Sequence, residues 1–424
     1  MHKKNLLNRT LVFGIFILFI GVVIAPTISS FSNQLINKNT NSERVTFNPF
    51  KLGWKYRKQI TIDHTKVAGN LGNFPLLVST VDADLRNKAQ IDGDDILFMD
   101  GKGEAQQLFH EIESYDSATG KLVAWVNIPT LSNSIDIDFY MYYGNSTCSS
   151  QEFTIATWDP YYCGVWHLND FIDSTINGND GGNHGTIDTI GKIGNAKDFE
   201  KDNHNYVALG DMQEPADDST SRATFEAWIN PESLTTTTSV INKIDTTYEP
   251  DRRSYKFEIL DTGQIRFSVQ SGTWVPTDDI IRFTTYNNLV TTGSWQHVVA
   301  FIDLSIRGDT ALYYNGEEQS YTTTILGNPP SHFYDVYLDE RLGLLNQEAG
   351  ALYYDGSIDE VRVSKVERSS EWISTEYNNQ NDVLNFINIG PEETKSKSLY
   401  KILIFNYLEQ FPLLNLLLKS IKLR

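Results

Sequence analysis

Gly164-Val165-Trp166-His167-Leu168 and, far downstream, Gly356-Ser357-Ile358-Asp359-Glu360-Val361-Arg362-Val363 bracket a long run of short alternating segments. Within it, Phe225, Ala227 and Ile229 alternate with Thr224, Glu226 and Trp228. Ile265, Phe267 and Val269 alternate with Arg266, Ser268 and Gln270. Successive side chains on a strand point to opposite faces, so this is the period of half-buried strands. Trp295-Gln296-His297-Val298-Val299-Ala300-Phe301 begins another. Asn315-Gly316, between Leu312-Tyr313-Tyr314 and Glu317-Glu318-Gln319, is the strongest hairpin signal in the chain. Strands at such short intervals predict a sandwich rather than βαβ units.

Upstream, Trp54 to Gly144 carries a second set of strands. Ile135, Ile137, Phe139, Met141 and Tyr143 share one face, with Asp136 and Asp138 on the other. Leu122, Ala124, Val126 and Ile128 alternate with Val123, Trp125 and Asn127. Gly72-Asn73, Asp92-Gly93 and Asp100-Gly101 mark turns. The expected fold class is therefore all-β: a small β-sandwich, then a larger one, then a short C-terminal helical tail. Ser369 or Ser370 caps that helix, with Glu371 and Trp372 in its first turn.

Two family resemblances sharpen this. Trp54 to Ile62, Phe74-Pro75-Leu76-Leu77-Val78, Asp94 to Phe98, His110 to Asp116, Trp125-Val126 and Tyr142-Tyr143-Gly144-Asn145 resemble the domain of unknown function 2341. That resemblance implies an extracellular β-domain and no assigned reaction. Gly164 to Leu168, Gly191 to Ala196, Tyr206-Val207, Thr224 to Ile229, Gly293 to Val298 and Ile358 to Arg362 resemble a laminin-G-like, concanavalin-type jelly roll. Members of that family bind glycans or other extracellular partners, some with one structural calcium. The expected layout is residues 1–31 as signal peptide or signal anchor and 32–50 as a polar linker. The first sandwich then takes 51–150, the jelly roll with closing helix 160–390, and an apolar tail 391–424.

Composition narrows the partners. Thirty-five Lys and Arg face 54 Asp and Glu, a formal net charge of -19. Such a surface repels phosphate backbones, so nucleic acid is not an expected partner. Lys3, Lys4 and Arg9 precede an apolar run from Leu11 to Pro26, the pattern of an export signal. The protein is thus expected outside the cytoplasm. The C-terminal stretch Leu399 to Leu418 is apolar but interrupted by Asn406, Glu409, Gln410, Pro412 and Asn415, followed by Lys419, Lys422 and Arg424. A membrane-surface attachment or a docking segment both fit it. In an exported chain, Cys148 and Cys163 form the expected disulfide, worth roughly 3 kcal/mol in the chain-entropy model. Asn145-Ser146-Thr147 is a glycosylation sequon.

Catalytic signatures are missing. The Glu-x-Asp-x-x-Glu array of glycan-cleaving jelly rolls does not occur. Asp359 and Glu360 are adjacent, so a regular strand sends them to opposite faces. Glu111 and Glu113 share a face too closely to flank a glycosidic bond and are expected on a solvated strand edge, beside His110. The family resemblance makes Asp359 a candidate calcium ligand. The loop with Asp173, Asn177 and Asn179 (flanked by Asp170 and Asp180) is a second candidate site, against the alternative of an Asx-rich turn. Trp274 and Tyr248 stand in polar loops where a ring could stack on a sugar. The expected function is a non-catalytic recognition or adhesion protein for a glycan or surface partner. The alternatives are a structural envelope component or a polysaccharide-active enzyme.

Overall fold

The computed structural model describes residues 44–212, 221–245, 252–270, 279–305, 310–334, 336, 338–345 and 350–395. The export segment, Tyr248, Trp274 and the tail from 396 onward lie outside them. Among the described residues no helix is long and apolar enough to cross a membrane.

The fold is all-β, two sandwiches within one compact unit. The first has a six-stranded sheet, ordered Thr46–Phe47, Ala105–Leu108, Leu97–Met99, Ile137–Tyr143, Tyr56–Ile62 and Ile387–Thr394. It faces a three-stranded sheet of Leu71–Val81, Lys121–Leu131 and His110–Asp116. Their shared core contains Ile60, Ile62, Phe74, Leu76, Phe98, Leu122, Val126, Phe139 and Met141. This is the face that the alternation predicts, except that Ile135 precedes its strand and is exposed.

The jelly roll packs two larger sheets. One carries Arg222–Pro231, Gln296–Asp303 and the closing strand Gly356–Ser364, with Tyr162–Trp166 paired to the latter. The other carries Thr238–Asp245, Arg252–Ile259, Ile265–Gln270 and Ile280–Thr285 as adjacent antiparallel neighbours. Phe225, Ala227, Ile229, Phe257, Phe267 and Ile358 meet between the sheets. Asn315 and Gly316 have φ of 51° and 79°. Both are left-handed, as the hairpin turn at that dipeptide requires.

Two features depart from a simple tandem. The chain leaves the jelly roll, forms the helix Ser370–Asn381 and then returns to the first sandwich. There Ile387–Thr394 pairs with Tyr56–Ile62. The first sandwich is therefore discontinuous, and residues 387–394 belong to it rather than to the jelly roll or to a tail.

The other departure is that the three-stranded sheet is buried on both faces. Its outward side chains Leu77, Val123 and Trp125 pack with Trp158, Tyr162, Val165 and Ile193 of the jelly-roll side. The closing helix fills the rest of the junction. Ser369 caps it by accepting from Trp372 N at 3.3 Å. The Trp372 ring meets Phe74 edge-on at 5.1 Å, and Asn379 bonds both Leu77 N and Leu77 O.

Candidate functional site

The junction encloses a set of ionisable side chains. Glu111 and Glu113 come from the strand His110–Asp116, His167 follows the first jelly-roll strand, and Asp359, Glu360 and Arg362 lie on the closing strand. Glu226 sits on the neighbouring strand and Glu376 on the closing helix. Every one of these side chains is buried. The expected solvated edge at Glu111 and Glu113 is thus a correction. Glu111 is the cross-strand partner of Trp125, so both project from the face that the jelly roll covers. Val123 and Trp125 on that face are the sequence signal that it is not solvent-facing.

His167 is the centre of the set. Its Nδ1 lies 2.9 and 3.1 Å from the two Glu360 carboxylate oxygens and 3.8 Å from Glu113 Oε2. Its Nε2 faces Glu111 Oε2 at 3.5 Å, long for a hydrogen bond. The imidazole stacks on Trp125, with centroids 5.5 Å apart and planes at 17°. Burial opposes its charge, but Glu360 and Glu111 outweigh burial and hold its pKa well above the ordinary value. Glu360 is pushed up by burial and more strongly down by His167 and Arg362, for a net lowering. Burial, then Glu360, pushes Glu113 up to about 8. Burial and Glu360 likewise raise Asp359 well above its usual range.

The carboxylates are held from outside. Trp158 Nε1 and Ser174 Oγ donate to Glu111 at 2.7 and 2.6 Å. Trp125 Nε1 donates to Glu113 Oε2 at 3.0 Å. Arg362 donates to Glu360 Oε2 at 2.7 Å and to Glu376, and its guanidinium lies 4.4 Å from the Trp125 ring centroid. Glu360 has φ of 49°, and the register of the closing strand shifts beside it. This bulge explains why two adjacent carboxylates both turn inward, which regular alternation does not allow.

The sequence-predicted residues fall elsewhere or are otherwise occupied. Asp359 Oδ2 accepts from Ile193 N at 2.9 Å. Asp173 is saturated: its oxygens accept from Val165 N, Thr175 N, Thr175 Oγ1 and Asn179 N at 2.9–3.0 Å. Asn177 and Asn179 turn their amide N–H groups to the carbonyls of Tyr162 and Cys163. Calcium takes six to eight oxygen ligands, and the loop of Asp173, Asn177 and Asn179, with its carboxylate committed to N–H and O–H donors and its amides turned N–H inward, does not fit it. The loop is an Asx-type scaffold that fixes the first jelly-roll strand.

Cys148 and Cys163 are not bridged. Cys148 Sγ is engaged by Asn145 O at 3.4 Å and Gln90 Nε2 at 3.5 Å at the rim of the first sandwich. Cys163 is buried in the jelly-roll core. Asn145 is only 5% exposed. Its Oδ1 accepts from Thr147 and its Nδ2 points to Leu52 O, so the fold occupies the space a glycan needs.

Residues 92–180 match the model of the domain of unknown function 2341. Residues 201–374 match that of the concanavalin A-like lectin/glucanases superfamily. The chain joins a domain of each kind. No curated protein matches it. Among solved structures it is similar to domain 4 of AbnA, an extracellular arabinanase from Geobacillus stearothermophilus, in complex with arabinotriose. Identity is 20% over 51% of this chain and 98% of that one, with a TM-score of 0.38. It is also similar to the ligand-binding domain of botulinum neurotoxin serotype D in complex with N-acetylneuraminic acid. There identity is 16%, covering 54% of this chain and 53% of that one, with a TM-score of 0.39.

Proposed function

We propose that this is an exported, non-catalytic recognition protein whose concanavalin-like domain binds glycans. The observation that carries the reading is the match of residues 201–374 to the concanavalin A-like lectin/glucanases superfamily. Within that superfamily the choice between binding and cleavage rests on the carboxylates. Glu111, Glu113, Asp359 and Glu360 are enclosed between the two sandwiches, where no polysaccharide chain reaches them. Export is supported by the basic head and apolar run at the N-terminus.

Topology favours one end of the jelly roll for the sugar. The connections bearing Tyr248 and Trp274 join Asp245 to Arg252 and Gln270 to Ile280. Adjacent antiparallel pairing puts those four strand ends at the same end of one sheet.

A glycan array with the full chain tests the proposal. Binding to a defined glycan class is expected, and Trp274→Ala or Tyr248→Ala should each weaken it about tenfold, or 1.4 kcal/mol. An array without hits overturns the reading in favour of a structural role. Sugar release from polysaccharide overturns it in favour of an enzyme.

A further inference from the structure

His167, Glu113 and Glu360 bring three ligands of a transition-metal centre, one imidazole and two carboxylates, together from two different domains. Their ligand atoms all lie within 4.8 Å of one another. Around a tetrahedral ion with bonds of about 2.0 Å, ligand atoms sit about 3.3 Å apart. The separations from His167 Nδ1 are 2.9 and 3.1 Å to Glu360 and 3.8 Å to Glu113, on either side of that value.

The surroundings have the form that metal ligands require. A ligating imidazole presents its other ring nitrogen to a carboxylate, and ligating carboxylates are themselves hydrogen-bonded. Here His167 Nε2 faces Glu111, which Trp158 and Ser174 hold in place. Trp125 holds Glu113 and Arg362 holds Glu360.

Charge and hydrogen bonding show what is unmet. Four buried carboxylates, Glu111, Glu113, Asp359 and Glu360, surround the imidazole, and the one guanidinium among them is shared with Glu376. Six buried atoms of the set have no hydrogen-bond partner: His167 Nε2, Glu113 Oε1, Asp359 Oδ1, Glu226 Oε2, Glu376 Oε2 and Arg362 Nε. A buried carboxyl oxygen without a partner is costly, and a cation at Glu113 supplies one.

We propose that His167, Glu113 and Glu360 bind a first-row divalent cation of the zinc type, with Glu111 as a positioning residue for His167. The ion joins the two sandwiches across their junction. Its binding energy is then spent on domain docking, as for other structural metal sites.

The test uses the full chain, stripped with chelator and titrated with Zn²⁺ or Co²⁺ alone. A second group, Asp63, His64 and Asp136, is partly exposed, so His64→Ala is the background for every measurement. One ion per chain is expected, with a four-coordinate Co²⁺ spectrum and a rise in melting temperature. Glu113→Gln should weaken binding at least a hundredfold. Glu111→Gln, which leaves the three ligands in place, should weaken it about 10–100-fold. Wild-type affinity in Glu113→Gln overturns the assignment, as does loss of all binding in His64→Ala. If Glu113→Gln does not fold, X-ray absorption on the zinc-loaded His64→Ala chain decides. One imidazole in the metal shell is expected, and an all-oxygen shell overturns the proposal.

Discussion

Arg362→Met is the sharpest probe of the junction. Arg362 is 1% exposed. It pairs with Glu360 at 2.7 Å and with Glu376, and lies 4.4 and 5.0 Å from the Trp125 and Trp158 ring centroids. Methionine retains apolar volume but leaves the buried Glu376 without its cation and Glu360 with His167 alone. Breaking a buried pair in this way costs about 3–5 kcal/mol, because the remaining charge stays desolvated. The loss of stacking on two indoles adds to it. Urea unfolding of the full chain in chelator, followed by tryptophan fluorescence, reads the effect directly. Trp125 and Trp158 both contact the substituted group, so the first transition should shift to lower urea. Adding Glu376→Gln should recover part of the loss, since one stranded charge is then removed. Lys51→Met, which breaks the exposed pair with Glu104, should leave the midpoint unchanged. If Arg362→Met unfolds at the wild-type midpoint, the junction is not held by these charges.

Three further outcomes follow from the fold. Ending the chain after Asn381 removes the strand partner of Tyr56–Ile62 and should lower the melting temperature of the first sandwich; an unchanged melting curve refutes its discontinuity. Reductant should not alter the melting curve, and Cys148 should alkylate well before the buried Cys163; a linked peptide pair in unreduced protein would falsify this. Burial pushes Glu340 up to about 7 despite Lys243 beside it. The folded chain then keeps a proton that the unfolded chain releases, so stability should fall as pH rises from about 4.5 to about 7; Glu340→Gln should flatten that slope, and an identical slope in the variant removes the assignment.

The strands were legible because each has one apolar face. Ile60, Phe139, Phe225 and Phe267 sit where period-two alternation puts them. The junction was not legible, for a physical reason. Glu111 and Glu113 look solvated because a strand pattern records only which residues share a face, not what later covers it. The bulge at Glu360 was hidden as well, since a positive φ at a glutamate has no marker in local sequence. Asp173 drew attention as an oxygen ligand, yet its oxygens serve backbone amides, and composition alone does not separate those two uses.

The return of the chain to its first sandwich also sets an order of events during synthesis. Arg57 and Glu393 are paired although 336 residues separate them. Until the last strand emerges, Tyr56–Ile62 has an open edge beside an otherwise formed sheet, which invites pairing with another chain. The jelly roll must fold while that edge waits, because it lies between the two strands that close it. Long-range closure of this kind is slow. The nascent protein is thus most exposed to misassembly late in translation, when one complete domain hangs from an unfinished one.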